Sequence, residues 1–211
     1  MNDFIEIIKR IHEQRNILPG KTAHDELFPD SRKNIPASDI SKAKLSAVMM
    51  LIYPNIRNNA ETVFIKRNEY KGHHSNQISF PGGKMDPREI DLLQTAIRET
   101  KEEIGISVPQ ENIITKLSEL HIPVSNFLVQ PYIGYINNTP KFIPDRNEVS
   151  KLIKIEVEEL IHLPMQKTNL TLENKIFEIP YFPLKNEILW GATAMIVNEF
   201  RYMLKHQTPS R

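Results

Sequence analysis

An α/β (α+β) sandwich, with helices covering a mixed β-sheet, is the fold class the sequence predicts, and three observations carry it. Stretches of strand length recur near 45–53, 62–66, 77–80, 113–122, 129–136, 150–155 and 175–190. Helical patterns stand between and around them at 2–15, 88–104, 156–163 and 191–205. Short strands mixed with a few helices favour helices packed on a sheet over an all-α or all-β layout. The 211 residues are enough to bury one substantial core.

Each element has a local reason. Phe4, Ile7, Ile8 and Ile11 recur at helical spacing and predict an amphipathic helix packed on its own domain, stopped by Pro19 and Gly20. Residues 20–43 are polar, carry Pro29 and Pro36, and read as an arm, so 1–43 form a helix and arm, 44–206 the main domain and 207–211 a tail. The unbroken apolar run LSAVMMLIY at 45–53 predicts a buried strand, and TVFIK at 62–66 a second, joined through a polar turn as a hairpin. After the loop NEYKGHHSN a short strand at 77–80 runs into Gly82-Gly83, read as a sharp turn. The helix that follows ends at Gly105, a good C-terminal cap residue. Trp190-Gly191 opens the last helix, where core packing explains the tryptophan.

Composition excludes several function classes. A formal net charge of +1 gives no field that points to nucleic acid or an acidic membrane. Nine apolar residues in a row fall well short of the roughly 20 that a membrane helix needs. The first fourteen residues, with Asp3 and Glu6 among the apolar ones, do not resemble a secretory signal. The absence of cysteine removes disulfides and thiolate metal sites and fits a cytoplasmic setting. The oligomeric state stays open, a homodimer included.

The chemistry concentrates in SFPGGKMDPREIDLLQTAIRETKEEIGI, residues 79–106. At about 100° per residue, Leu93, Ile97, Thr100 and Ile104 form one stripe toward the core. Glu99, Glu102 and Glu103, at offsets of zero, three and four, converge on another face, and Arg98 is spaced to pair with Glu102. Acidic pairs on helices are ordinarily solvated surface. Here three carboxylates adjoin a glycine pair, and hard divalent cations such as Mg²⁺ or Mn²⁺ prefer such oxygen ligands. Walker and G-x-G-x-x-G phosphate loops both fail on spacing. His73-His74 has no third ligand at useful spacing, which favours a loop role over a metal site.

Gly83, Glu89 and Arg98-Glu99-Thr100-Lys101-Glu102-Glu103-Ile104-Gly105-Ile106 resemble the Nudix box, G-x5-E-x7-R-E-U-x-E-E-x-G-U, where U is aliphatic. Eight residues rather than seven separate Glu89 from Arg98, and Thr100 replaces an aliphatic residue; the extra residue belongs in the loop before the helix. Residues 64–67 and 77–83, then 129–134, 147–149 and 190–194, are similar to the coenzyme A diphosphatase branch of that family, so the resemblance covers about 44–205. In the intervening loop Gly72 stands where that branch has a second Arg, and Asn76 where it has a Gly.

The resemblance implies a Nudix-type α/β/α sandwich and a metal-dependent hydrolase that cleaves the diphosphate of a small-molecule nucleoside diphosphate derivative. It implies Mg²⁺ or Mn²⁺ on Glu99, Glu102, Glu103 and the Gly83 carbonyl, with Arg98 orienting the cluster. The general base is left open among Glu99, Glu103 and Glu148. With coenzyme A or acyl-CoA as substrate the products are 4′-phosphopantetheine and adenosine 3′,5′-bisphosphate. Arg67 is then the choice for a phosphate, ahead of Lys66 and Lys71, with Gly82 and Gly83 letting the substrate approach. Gly72 and Asn76 motivate an alternative substrate: ADP-ribose, a dinucleotide or a noncanonical nucleotide. A nucleotide-binding sensor without activity is the reading from another class, and the retained glutamates speak against it.

Overall fold

The computed structural model describes residues 3–29, 39–68, 77–172 and 175–205. Lys71, Gly72, His73, His74 and Asn76, with the 207–211 tail and part of the arm, lie outside the described residues. Five α-helices are described: α1 (Phe4–Gln14), α2 (Lys21–Asp25), α3 (Leu92–Ile104), α4 (Val157–His162) and α5 (Gly191–Lys205). The strands of the main sheet are β1 (Lys44–Pro54), β2 (Ala60–Arg67), β3 (Ile78–Ser79), β4 (Gly82–Lys84), β5 (Ile113–Lys116), β6 (Leu120–Ile122), β7 (Phe127–Tyr135) and β8 (Val149–Glu156). A second, three-stranded antiparallel sheet has β10 (Lys175–Leu184) between β9 (Gln166–Leu172) and β11 (Glu187–Trp190).

The main sheet is mixed, as expected. β1 runs parallel to β7 over Lys44↔Phe127 to Ile52↔Tyr135, and every other named pairing is antiparallel. The β1–β2 hairpin closes at Pro54↔Ala60. Toward the other end the two strands part, and the chain from 78 to 84 enters the gap. β3 pairs with the end of β2, β4 pairs with the start of β1, and Met49 N donates to Pro81 O at 2.8 Å. That insertion brings the glycines beneath α3.

Both faces of β1 are covered, which is why its sequence is a continuous apolar run rather than an alternating one. Met50 and Ile52 face a core shared with α1, α4 and α5, including Phe4, Ile7, Ile11, Leu160 and Phe200. Met49, Leu51 and Tyr53 face the other core with Val63, Ile65, Ala96 and Ile104. No helix among the described residues is long and apolar enough to cross a membrane.

Several expectations are corrected in detail. The helix predicted from residue 88 starts at Leu92, where the Asp91 carboxylate accepts from Gln94 N at 2.9 Å and caps it. The single strand expected over 113–122 is broken into β5 and β6. The polar arm includes α2, with Ala23, His24 and Leu27 buried. Gly82 and Gly83 form a strand rather than a turn: they pair with Val48 and Ala47.

The arm is fastened through Glu199 of α5, which is fully buried. Its carboxylate lies 2.9 Å from His24 Nε2 and accepts from Ser118 Oγ at 2.6 Å and Ser118 N at 3.1 Å. Burial alone would raise its pKa, but the hydrogen bonds from His24 and Ser118 outweigh it and hold the group below the usual carboxylate range. With the folded pKa depressed, the network contributes stability above the unfolded value and loses it as pH falls through the folded one. Glu199→Gln is expected to lower stability by about 2 kcal/mol at pH 7. In urea unfolding from pH 7 to pH 3 the gap to wild type is expected to narrow at the acid end. A gap independent of pH would remove the assignment.

Candidate active site

α3 crosses β4 so that its last two turns lie over the inserted glycines. The fully buried residues of the helix are Thr95, Ala96, Thr100, Glu103 and Ile104, while Leu93 and Ile97 are only partly buried. The core stripe is thus rotated from the one expected, and it takes in Glu103. The three carboxylates do not point one way. Glu103 is 1% exposed, whereas the side chains of Glu99 and Glu102 are 15% and 59% exposed. Among the described residues no three acidic or imidazole side chains already converge on a single coordinating point. Offsets of zero, three and four spread side chains over an arc of about 100°, which is wide enough for Glu103 to face β4 while Glu102 faces solvent.

Arg98 draws the exposed side of this arc to itself. Its Nη1 donates to Glu99 Oε1 at 2.8 Å and to Glu102 Oε2 at 2.7 Å, and its Nε to Glu89 Oε1 at 2.7 Å. Glu89 also accepts from Asp86 N and Thr95 Oγ1, both at 2.7 Å. The extra residue between Glu89 and Arg98 is therefore absorbed by the loop before α3, which returns Glu89 to the arginine. The hydrogen bond that Arg98 donates to Glu89, with those to Glu99 and Glu102, raises the guanidinium pKa above its ordinary value and keeps it charged.

The buried side of the arc meets β4. Glu103 Oε2 accepts from Gly82 N at 2.8 Å, whereas Oε1 is buried and has no hydrogen-bond partner, the Arg67 guanidinium lying 3.2 Å away. A Cβ on Gly83 would stand 2.4 Å from Glu99 Oε1, so the missing side chain is what gives that carboxylate its place. Burial pushes the Glu103 pKa up to about 7 against the lowering by Arg67, and burial also raises that of Glu99. The charges of Glu99 and Glu148 add to the rise at Glu103, which brings Glu148 into the electrostatic reach of the site. Glu148 is itself exposed, on the loop before β8.

These residues fit a divalent cation: two hard-oxygen donors lie against the adjacent glycines of β4, and one of them has a buried unbonded oxygen. Of the expected substrate cations, Arg67 reaches this face, where its Nη2 donates to Gly82 O at 2.7 Å. Lys66 does not. It lies on the opposite face of β2, with its ammonium 3.0 and 2.9 Å from the two carboxylate oxygens of Glu187 on β11. Sequence reasoning left Glu89 open, and it passed over Thr95 and the contact of Arg67 with Glu103. For Glu89 the family pattern was a signal; for the others the signal is nonlocal and no spacing reveals it.

A model of the family described as "NUDIX domain" matches residues 45–175, more than half of the chain. The mitochondrial coenzyme A diphosphatase of Homo sapiens is 29% identical over 193 residues, covering 90% of this chain and 75% of that protein. An uncharacterized Nudix hydrolase, NudL, of Yersinia enterocolitica is 28% identical over 136 residues, 63% of this chain and 68% of its own. The crystal structure of the Nudix hydrolase RenU of M. Smegmatis superposes with a TM-score of 0.52 at 18% identity, over 80% of this chain and 91% of that one. A MutT/nudix family protein of Enterococcus faecalis gives 0.52 at 20%, over 93% and 73%. The fold of those structures, the matched domain and the R-E-T-K-E-E-I-G helix laid over a glycine strand agree: the chain belongs to the Nudix family and is a Nudix hydrolase.

Proposed function

We propose that this protein is a metal-dependent diphosphatase that cleaves coenzyme A or acyl-CoA to 4′-phosphopantetheine and adenosine 3′,5′-bisphosphate. The observation that carries the chemistry is the placement of Glu99 and the buried Glu103 of α3 against the β4 glycines, with Glu103 Oε1 lacking a hydrogen bond. Glu99, Glu103 and the Gly83 carbonyl, with Glu102 in exchange for its bond to Arg98, would hold Mg²⁺ or Mn²⁺. Bound there, the cation supplies charge neutralisation at the diphosphate and a bound water of lowered pKa. Arg98 orients Glu99 and Glu102 through its Nη1. Glu148, exposed beside the site, is the remaining candidate to accept the proton of the attacking water. The similarity to a coenzyme A diphosphatase supports the substrate, as does the F-P-G-G segment with its upstream arginine.

A second reading keeps the chemistry and changes the substrate to ADP-ribose, a dinucleotide or a noncanonical nucleotide. Gly72 and Asn76 motivate it. A panel of coenzyme A, ADP-ribose, NADH, diadenosine polyphosphates and nucleoside triphosphates, incubated with the protein and Mg²⁺ or Mn²⁺, separates the two by product mass. Preferred turnover of coenzyme A is expected. Preference for another member sinks the first reading, and binding without turnover of any sinks both in favour of a sensor.

A further inference from the structure

Arg67, chosen from sequence as a phosphate receptor, has a different partner set. On β2, Phe64 and Lys66 face the α5 side of the sheet, whereas Val63 and Ile65 face α3. Pairing between β2 and β8 shifts register between Lys66 and Arg67, so that Lys66 opposes Lys151 and Arg67 opposes Val149. The extra residue belongs to β8, so Arg67 keeps the alternation of β2 and lies with Val63 and Ile65 on the α3 side. The omitted residue, Ser150, closes the irregularity: its hydroxyl donates to Lys66 O at 2.9 Å. Arg67 N in turn donates to Gln77 O at 3.1 Å, and Asn68 N to Glu148 O at 2.9 Å. The backbone of Arg67 is thus fixed by β8 and by the strand that leads into β4.

The side chain completes a ring. Arg67 Nη2 donates to Gly82 O at 2.7 Å and stands 3.2 Å from Glu103 Oε1, while Gly82 N donates to Glu103 Oε2 at 2.8 Å. One peptide unit on each side of Gly82 is therefore committed, and the Glu103 carboxylate is bounded on one oxygen by an N–H and on the other by a cation. A phosphate receptor presents its donors to solvent. This guanidinium presents Nη2 to the protein, and the side chain is only 24% exposed.

We propose that Arg67 is a positioning residue: it holds the Glu103 carboxylate and the β4 backbone in the geometry that receives the divalent cation, and it does not bind the substrate's phosphate. The proposal rests on the metal-dependent reading above. Groups that orient a metal ligand from behind commonly change metal affinity or activity by about 10–100-fold when removed. Loss of a substrate contact would instead raise KM.

The test uses the full chain, with Mn²⁺ alone as the binding probe. Mn²⁺ affinity is measured by calorimetry, without substrate, for wild type, Arg67→Ala and Arg67→Lys. Steady-state kcat and KM are measured on the panel substrate that wild type turns over, at saturating metal. Arg67→Ala is expected to weaken Mn²⁺ binding about tenfold and to lower kcat by a similar factor, with KM changed less than about threefold. Should Arg67→Ala not fold, Arg67→Lys carries the test. Lysine keeps the charge but lacks the planar fork, so a smaller loss of the same kind is expected. Unchanged or tighter Mn²⁺ binding, or a raised KM with kcat intact, overturns the proposal and restores the phosphate contact. A wild type that neither binds Mn²⁺ nor hydrolyses any diphosphate overturns the parent reading, and the two failures are thereby distinguished.

Discussion

Glu102→Gln is expected to remove most hydrolytic activity while leaving the fold untouched. The expectation follows from where the side chain stands. Its side chain is 59% exposed on α3 and accepts a hydrogen bond from Arg98 Nη1 at 2.7 Å. Surface substitutions of this kind change stability by about 0.5 kcal/mol or less. On the proposed metal-dependent reading its function, in contrast, lies in a negative oxygen that can leave Arg98 for a cation. Glutamine keeps the shape and removes the charge. A Lewis-acid contribution to the transition state is worth several kcal/mol. At tenfold per 1.4 kcal/mol, loss of one ligand corresponds to a fall in kcat of roughly 100- to 1000-fold. Steady-state rates and a thermal melt on the same preparation check both halves. Wild-type activity would remove Glu102 from the metal set, and a melting temperature lowered by many degrees would show that it has a structural task instead.

The contrast between Glu102 and Glu103 shows how far sequence carries. Spacing alone made them neighbours on one face, and the family resemblance made both of them ligands. What spacing could not show is that the helix is rolled toward β4, so that Glu103 enters the core beside Thr100 while Glu102 remains outside. The roll is decided by which residues the sheet offers beneath the helix, and those are glycines from a strand inserted between β1 and β2. The apolar run of β1, the β1–β2 hairpin and the Gly105 cap were legible because their causes are local: a continuous apolar stretch, a polar turn, a residue at φ 75°. β9 was not legible. Its sequence QKTNLTL has neither an apolar run nor a strict alternation, and its pairing partner β10 defines it. Lys66 and Arg67, adjacent cations weighed together for the phosphate, stand on opposite faces because neighbouring residues of β2 alternate.

Gly82 and Gly83 are expected to fail in opposite ways when each is replaced by alanine. A Cβ on Gly82 would stand 2.3 Å from Ala47 O and 2.6 Å from Val48 Cα, both backbone atoms of the central strand. Neither can yield without breaking the pairing of β4 with β1, which register Val48↔Gly82 and Ala47↔Gly83 define. Overpacking of this sort costs about 1–3 kcal/mol and at times more, and here the backbone is the obstacle, so about 3 kcal/mol is expected, read as a lowered urea midpoint. A Cβ on Gly83 meets a different neighbour, the Glu99 carboxylate, at 2.4 to 2.7 Å. The end of a side chain can swing away, so the fold should survive with a loss nearer to 1 kcal/mol. The carboxylate that swings away is, however, the one that the proposed reading assigns to the cation. Gly83→Ala is therefore expected to fold, to bind Mn²⁺ weakly and to lose about 100-fold or more in kcat, as befits a metal ligand displaced by an ångström or more. Two adjacent glycines thus separate stability from chemistry: one makes room for backbone, the other for a ligand. Equal effects of the two alanines on the urea midpoint, or a Gly83→Ala protein that hydrolyses at the wild-type rate, would show that Glu99 does not depend on the space that Gly83 leaves.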